Sequence, residues 1–263
     1  MKTVPTTDPW IVRWRSAPAP RLRLFCVPCA GRGAALYRSW PEFSGSEMEL
    51  CAMQLPGRES RLREPPLIRM SDAVECAAEV LERHLDLPFA LFGHSMGAIV
   101  CFELARLLRS RYGVAPIHLF VSARRAPQFP DPRPPLHLLP DAPFISEIER
   151  RYNGLPREVL ANTELMELLL PMLRADVQMI ETYAYEPGLP LDCPITAFGG
   201  LKDSDLRMED LEGWQAHTNS RFETKLFPGD HFFVQSAPNE VLGAISRSLN
   251  LAGDFESHRG FGG

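Results

Sequence analysis

Five consecutive residues, Gly93-His94-Ser95-Met96-Gly97, set a serine between glycines in a G-x-S-x-G pattern. An apolar run, Phe89 to Phe92, precedes them and a helical pattern follows. The serine therefore stands at a strand-to-helix turn so tight that only glycine fits two residues to either side. A turn of this kind presents a hydroxyl as a nucleophile, but the hydroxyl attacks only when an imidazole accepts its proton and a carboxylate orients that imidazole. In chains built this way the acid and then the histidine come after the serine. Of the seven histidines, His84 and His94 precede Ser95, His118 begins a strand, His137 lies in a proline-rich stretch, His217 sits on a helix and His258 is near the C-terminus. Only His231, in Phe227-Pro228-Gly229-Asp230-His231-Phe232-Phe233, follows the last expected strand and precedes the last helix. The acid is expected in Gly200-Leu201-Lys202-Asp203-Ser204-Asp205, with Asp203 as the choice and Asp205 as the alternative, which would otherwise cap the next helix. Asp230 reads as a turn former. A developing oxyanion needs backbone N–H donors, one from Met96 and one from the loop Cys29-Ala30-Gly31-Arg32-Gly33-Ala34, where Ala30 is the expected donor and Gly31 the alternative.

These residues need a scaffold that places loops at one edge of a sheet. Short apolar runs at Leu22 to Pro28, Glu49 to Leu55, Pro88 to Phe92, Ile117 to Ser122, Ile195 to Gly199 and Phe222 to Phe227 read as buried strands. Helical spacing recurs between them at Ser71 to Leu85, Gly97 to Ser110, Glu209 to His217 and Pro238 to Leu249, with Ser71 as an N-cap and Pro238 at a first helical position. Alternation of this kind predicts an α/β fold with a mostly parallel sheet and helices on both faces. It is interrupted between Ser122 and Ile195, where a proline-rich stretch, Ala126 to Pro143, leads into helical patterns at Phe144 to Arg151, Pro156 to Leu170 and Met172 to Tyr185. That span, about residues 126–190, predicts a helical lid inserted into a single domain covering residues 1–251, with a disordered polar tail over 252–263.

Composition excludes other classes. Hydrophobic residues make up 45% of the 263 and charged residues 23%, ordinary globular usage that rules out global disorder. Lysine and arginine number 28 against 33 acidic residues, and no basic block suggests nucleic acid. No signal peptide and no apolar run of membrane-spanning length is present, which predicts a soluble, cytoplasmic protein with no membrane partner. The six cysteines, Cys26, Cys29, Cys51, Cys76, Cys101 and Cys193, read as reduced and buried. Cys26-Val27-Pro28-Cys29 fits C-x-x-C, but it has no second pair and Cys26 lies inside a strand, so no metal site is expected.

Other motifs stand in a fixed order around the serine: Pro28-Cys29-Ala30-Gly31 with Tyr37 and Trp40 following, Leu55-Pro56-Gly57-Arg58-Glu59, Leu170-Pro171-Met172-Leu173-Arg174-Ala175-Asp176, and Gly229-Asp230-His231-Phe232-Phe233. From Leu22 to Leu249 the chain resembles the type II thioesterases, the free-standing α/β-hydrolases that accompany polyketide synthases and nonribosomal peptide synthetases. The interval of 28 residues from Asp203 to His231 is similar to that family's spacing. The chain departs from it at Cys29, where the family usually has histidine, and at Ser204, where it often has proline. The resemblance implies the α/β-hydrolase fold and a Ser95–His231–Asp203 triad. It also implies hydrolysis of acyl thioesters from the 4′-phosphopantetheine arm of acyl or peptidyl carrier proteins, clearing stalled or wrongly primed groups, with normal product release as a further role. No cofactor is needed and a monomer is expected. The lid would shape an acyl chamber, with Leu169 and Met172 as substrate-binding residues. Tyr37 and Trp40 are expected to anchor the core, Arg58 and Glu59 to form a loop ion pair, and Arg174 and Asp176 to brace the lid. Competing readings are a carboxylesterase or lipase on the same fold, a non-catalytic carrier-binding module, and an acyltransferase.

Overall fold

The computed structural model describes residues 8–152 and 157–251; the expected disordered tail and the start of the segment at Pro156 lie outside these residues. Seven strands form one sheet: β1 (Ile11–Val12), β2 (Leu22–Val27), β3 (Met48–Met53), β4 (Phe89–His94), β5 (His118–Ser122), β6 (Ile195–Gly200) and β7 (Phe222–Phe227). Their order is β1-β3-β2-β4-β5-β6-β7. Every pairing is parallel except β1 against β3, where Ile11 faces Met53. Strand β1 was not anticipated, because two residues carry no periodic signal.

The central strands are apolar along their length because both faces are covered. Side chains alternate between two cores. One joins Phe25, Leu91, Leu119 and Ile195 to helices α1 (Met70–Glu82) and α2 (Met96–Leu107). The other joins Leu24, Phe92, Phe120 and Phe198 to Tyr37 and Trp40 and, through Phe233, Val241 and Ile245, to the C-terminal helices. Tyr37 and Trp40 anchor the core as expected: their rings meet edge to face at 4.8 Å, Tyr37 donates to the Val27 carbonyl at 2.8 Å, and Trp40 Nε1 donates to the Val234 carbonyl at 3.2 Å.

The inserted span supplies α3 (Asp141–Tyr152), α4 (Arg157–Leu160) and α5 (Thr163–Glu181). It is followed after β6 by α6 (Met208–Glu212), α7 (Phe233–Ser236) and α8 (Pro238–Ser248). The helical pattern expected to end at Leu170 divides into α4 and the first half of α5, and α5 then runs on through Pro171 into the next pattern, with the proline inside the helix. A proline there costs about 3 kcal/mol. Burying Leu173 and Val177 against Phe144 and Ile148, and Met179 in the main core, offsets this at roughly 1.5–3 kcal/mol per side chain. Three smaller expectations also change. Helix α1 starts at Met70 with Arg69 at its cap and Ser71 exposed, the segment at 209–217 divides into α6 and a 3₁₀ turn (Gly213–His217), and Cys76 is only half-buried. Among the described residues no helix is long and apolar enough to cross a membrane.

A buried ion pair joins α5 of the insertion to the loop after β3. Arg58, on the loop after β3, is 2% exposed and grips Asp176 of α5, itself 0% exposed, through two 2.8 Å bonds. The expected Arg58–Glu59 pairing does not form, whereas Arg174 and Asp176 each brace the insertion through a partner of their own. Glu59 instead accepts from the Ala35 N–H, and Arg174 reaches Asp141 and the His137 and Leu139 carbonyls. Arg174 and Asp176, two apart on a helix, point to different sides. Arg61 is likewise buried and bonded to the Gln54 carbonyl, so Arg58 and Arg61 do not contribute to a surface basic patch. Replacing Arg58 with Met strands a buried carboxylate and should cost about 3–5 kcal/mol in urea unfolding. The Arg58→Met/Asp176→Leu double variant should lose less than the single one.

Candidate active site

Strand β4 delivers Ser95 into a backbone conformation with φ 53° and ψ −110°, outside the regions a side chain ordinarily tolerates. The Ser95 N–H donates to the Ser122 carbonyl at the end of β5, at 2.7 Å. A Cβ on Gly93 would strike the Gly97 carbonyl, and one on Gly97 would strike that of Val27, so glycine is required at both places. His94 lies fully buried behind the serine, with Nδ1 2.9 Å from Ser122 Oγ. Burial pulls its pKa well below the usual histidine value, so it stays neutral.

The loops after β6 and β7 meet beside Ser95. Lys202 donates its N–H to the Gly229 carbonyl, and His231 Nδ1 donates to Asp203 Oδ2 at 2.8 Å. Asp203 Oδ1 accepts the Asp205 N–H at 3.0 Å, so both carboxylate oxygens are engaged. Asp205 turns away to pair with Arg133. Asp230 accepts the Phe232 N–H at 2.9 Å and shapes the turn. With Nδ1 committed, His231 is left with Nε2 for proton transfer. Ser95 and His231 line the same cavity, though no hydrogen bond joins their side chains among the described residues, a contact that commonly tightens only with substrate.

Opposite Ser95, Gly31 adopts φ +74° and donates its N–H to Asp176 Oδ2 at 2.8 Å. That donor is therefore consumed, whereas the Ala30 N–H has no hydrogen-bond partner among the described residues. Arg58 also donates to the Arg32 carbonyl at 3.1 Å and Gln54 accepts the Ala34 N–H at 2.7 Å, fixing the loop at both ends. Met96 opens α2, where an N–H has no carbonyl one turn back to bond. In the same loop burial pushes the Cys29 thiol up to about 12 and raises that of Cys26, so both stay protonated. Among the described residues no cluster could hold a metal.

The cavity has a volume of about 120 Å³, and its wall includes Ala30, Ser95, Ile148, Leu169, Leu173 and His231. Leu169 is thus among the residues lining the cavity. Met172 is not: it is buried in packing, and its neighbour Leu173 faces the cavity instead. Tyr152 and Arg124 also line it and were not singled out as site residues. Arg124 follows the C-terminal end of a strand beside the nucleophile's strand, a position that marks site residues in such sheets. A larger groove of about 870 Å³ between α1, α2 and the end of α5 contains none of the candidate residues.

The family model described as "Thioesterase domain" matches residues 22–249. Gramicidin S biosynthesis protein GrsT of Aneurinibacillus migulanus is 43% identical over 251 residues, covering 95% of this chain and 98% of that protein. Among solved structures, the type II thioesterase BorB from the borrelidin biosynthetic cluster superposes with a TM-score of 0.84 at 36% identity, over 92% of this chain and 98% of that one. RedJ, a thioesterase from the prodiginine pathway of Streptomyces coelicolor, gives 0.80 at 38% identity, over 89% of this chain and 87% of its own. With a family match across nearly all described residues and relatives aligned almost end to end, the chain belongs to the thioesterase domain family and groups there with the type II thioesterases of α/β-hydrolase fold.

Proposed function

We propose that the chain hydrolyses acyl thioesters on the phosphopantetheine arm of acyl or peptidyl carrier proteins, clearing stalled or aberrant groups during polyketide or nonribosomal peptide synthesis. The observation that carries this reading is the Asp203–His231 hydrogen bond opening onto the cavity that holds the strained Ser95. The similarity to GrsT, BorB and RedJ, each named for a biosynthetic pathway, supports the pathway class.

In this reading Ser95 Oγ attacks the thioester carbonyl carbon while His231 Nε2 takes its proton. The tetrahedral oxyanion is held by the Met96 and Ala30 N–H groups, each such donor worth about 10²–10³ in rate. The intermediate collapses, the C–S bond breaks, and His231 returns the proton to the departing pantetheine thiol. Water, deprotonated by His231, then attacks the acyl-serine and frees the acid and Ser95. Asp203 holds the imidazole in the tautomer that leaves Nε2 as the base. The insertion helices α3 and α5 act as a lid over the acyl group. The cavity lies well below the roughly 300–1,000 Å³ of sites for larger ligands, which favours short acyl chains.

Mass spectrometry of an acyl-loaded carrier protein mixed with the enzyme tests this. Wild type should release the acid, Ser95→Ala should leave the carrier loaded, and Asp203→Asn should lower kcat by about 10⁴-fold. A carrier that stays loaded while a small oxygen ester is hydrolysed would replace this reading with an esterase on the same fold. Leu169→Ala and Leu173→Ala should shift preference toward longer acyl chains, and an unchanged chain-length profile would remove the chamber from α5.

A further inference from the structure

Arg124 is held beside the nucleophile with unusual firmness for a loop residue. The preceding Ser122 carbonyl accepts the Ser95 N–H, and the Ala123 N–H donates to the Phe198 carbonyl at 2.8 Å. Ala123 has φ +52°, a left-handed conformation that a residue with a Cβ adopts only when its surroundings enforce it. Arg124's own carbonyl accepts from Trp214 Nε1 at 2.9 Å, and Trp214 is fully buried.

Its side chain lines the cavity with Ser95 and His231, yet among the described residues the guanidinium makes no hydrogen bond or ion pair, and its Nε is sealed from solvent. The carboxylates nearby are already engaged. Asp131 and Asp205 pair with Arg133, while Glu181 accepts from the Leu136 and His137 N–H groups and the His137 ring. Although its outer nitrogens open onto the cavity, burial of the rest pulls Arg124 below the ordinary arginine value, outweighing the opposite pull of Tyr152, Asp131 and Asp205, none of which it bonds. Holding a partly desolvated guanidinium without a bonded partner works against stability. A residue of that kind, on a strained and pinned backbone, calls for a partner that arrives with the substrate.

Resting on the thioesterase reading, we propose that Arg124 is a specificity-determining residue that receives an acceptor oxygen carried by the acyl group itself, either a carboxylate or a carbonyl beyond the thioester. The thiol end of the pantetheine arm offers only neutral amides, whereas a carboxylate on the acyl chain supplies the missing counter-charge. The enzyme then discriminates acyl groups by what they can accept as well as by length. A neighbouring groove shares Arg124, Asp131, Ile180 and Glu181 as its wall, which makes the arm's amide carbonyls the rival occupant.

The test compares kcat/KM for butyryl, acetoacetyl and malonyl groups loaded on one carrier protein, using wild type and Arg124→Met. The three groups are close in size and differ in their oxygens. The malonyl-to-butyryl ratio should fall about tenfold or more in the variant, the size of a lost charge-assisted hydrogen bond. A fall for malonyl alone identifies a carboxylate as the partner, and a fall for acetoacetyl as well identifies any acceptor oxygen. Arg124→Lys should retain part of the ratio, and Arg124→Gln serves if the methionine variant does not fold. The midpoint of thermal unfolding of Arg124→Met should not drop, since the group removed is a partly desolvated charge that makes no bond among the described residues. Unchanged ratios overturn the proposal, whether all three substrates slow together, which would assign Arg124 to the arm, or none does. Butyrate release by wild type reads the thioesterase assignment separately, so failure of one reading is distinguishable from failure of the other.

Discussion

Everything near the cavity is arranged around the crowding at the turn between β4 and α2. Ser95 can hold φ 53° only because its N–H is fixed to the Ser122 carbonyl and because glycines at 93 and 97 let backbone pass where any Cβ would collide. Conformations of this kind cost about 1–3 kcal/mol and persist only where the surroundings over-determine them. Here the surroundings are the three innermost strands, β2, β4 and β5, which are apolar on both faces and lock the turn from each side. The Val27 carbonyl oxygen that a side chain at Gly97 would strike is the same oxygen that accepts the Tyr37 hydroxyl. The helix start, the first loop and the aromatic anchor are therefore fixed at one point.

The first loop is then held at a distance by groups that look unrelated in sequence. Gln54 and Arg58 reach it from the loop after β3, and Asp176 reaches it from α5. A buried bidentate pair such as Arg58 with Asp176 contributes little net stability once desolvation is counted. Its effect is geometric. It takes up the Gly31 N–H and leaves that of Ala30 without a partner among the described residues.

Legibility in the sequence followed the range of the interactions. The strand-to-helix turn, His231 on its late loop and the alternation of strands and helices are local patterns, and the structure places them as read. Local pattern ranks Asp203 ahead of Asp205 but does not reveal the contact that turns Asp205 away, because Arg133, which pairs with it, lies in the distant proline-rich stretch. The partner of Arg58 lies 118 residues away, so adjacency suggested Glu59. Met172 and Leu173 are neighbours on the continuous helix α5, and the roughly 100° of rotation between them turns Met172 into packing and Leu173 toward the cavity. Arg124 is illegible as a site residue for another reason: an arginine in an Arg-Arg pair reads as surface charge, and only tertiary packing turns its side chain into the cavity wall.

Asp176 belongs to two structures at once, the helix that walls the cavity and the loop that faces the serine. This limits how such a protein can diversify. The wall provided by α3, which carries Ile148 and Tyr152 and has no share in that joint, is free to drift or to be exchanged between lineages. Helix α5 cannot be transplanted as a cassette without its cognate arginine on the loop after β3. New acyl ranges should therefore arise by substitution along one side of the chamber, while the other side is inherited together with the chemistry.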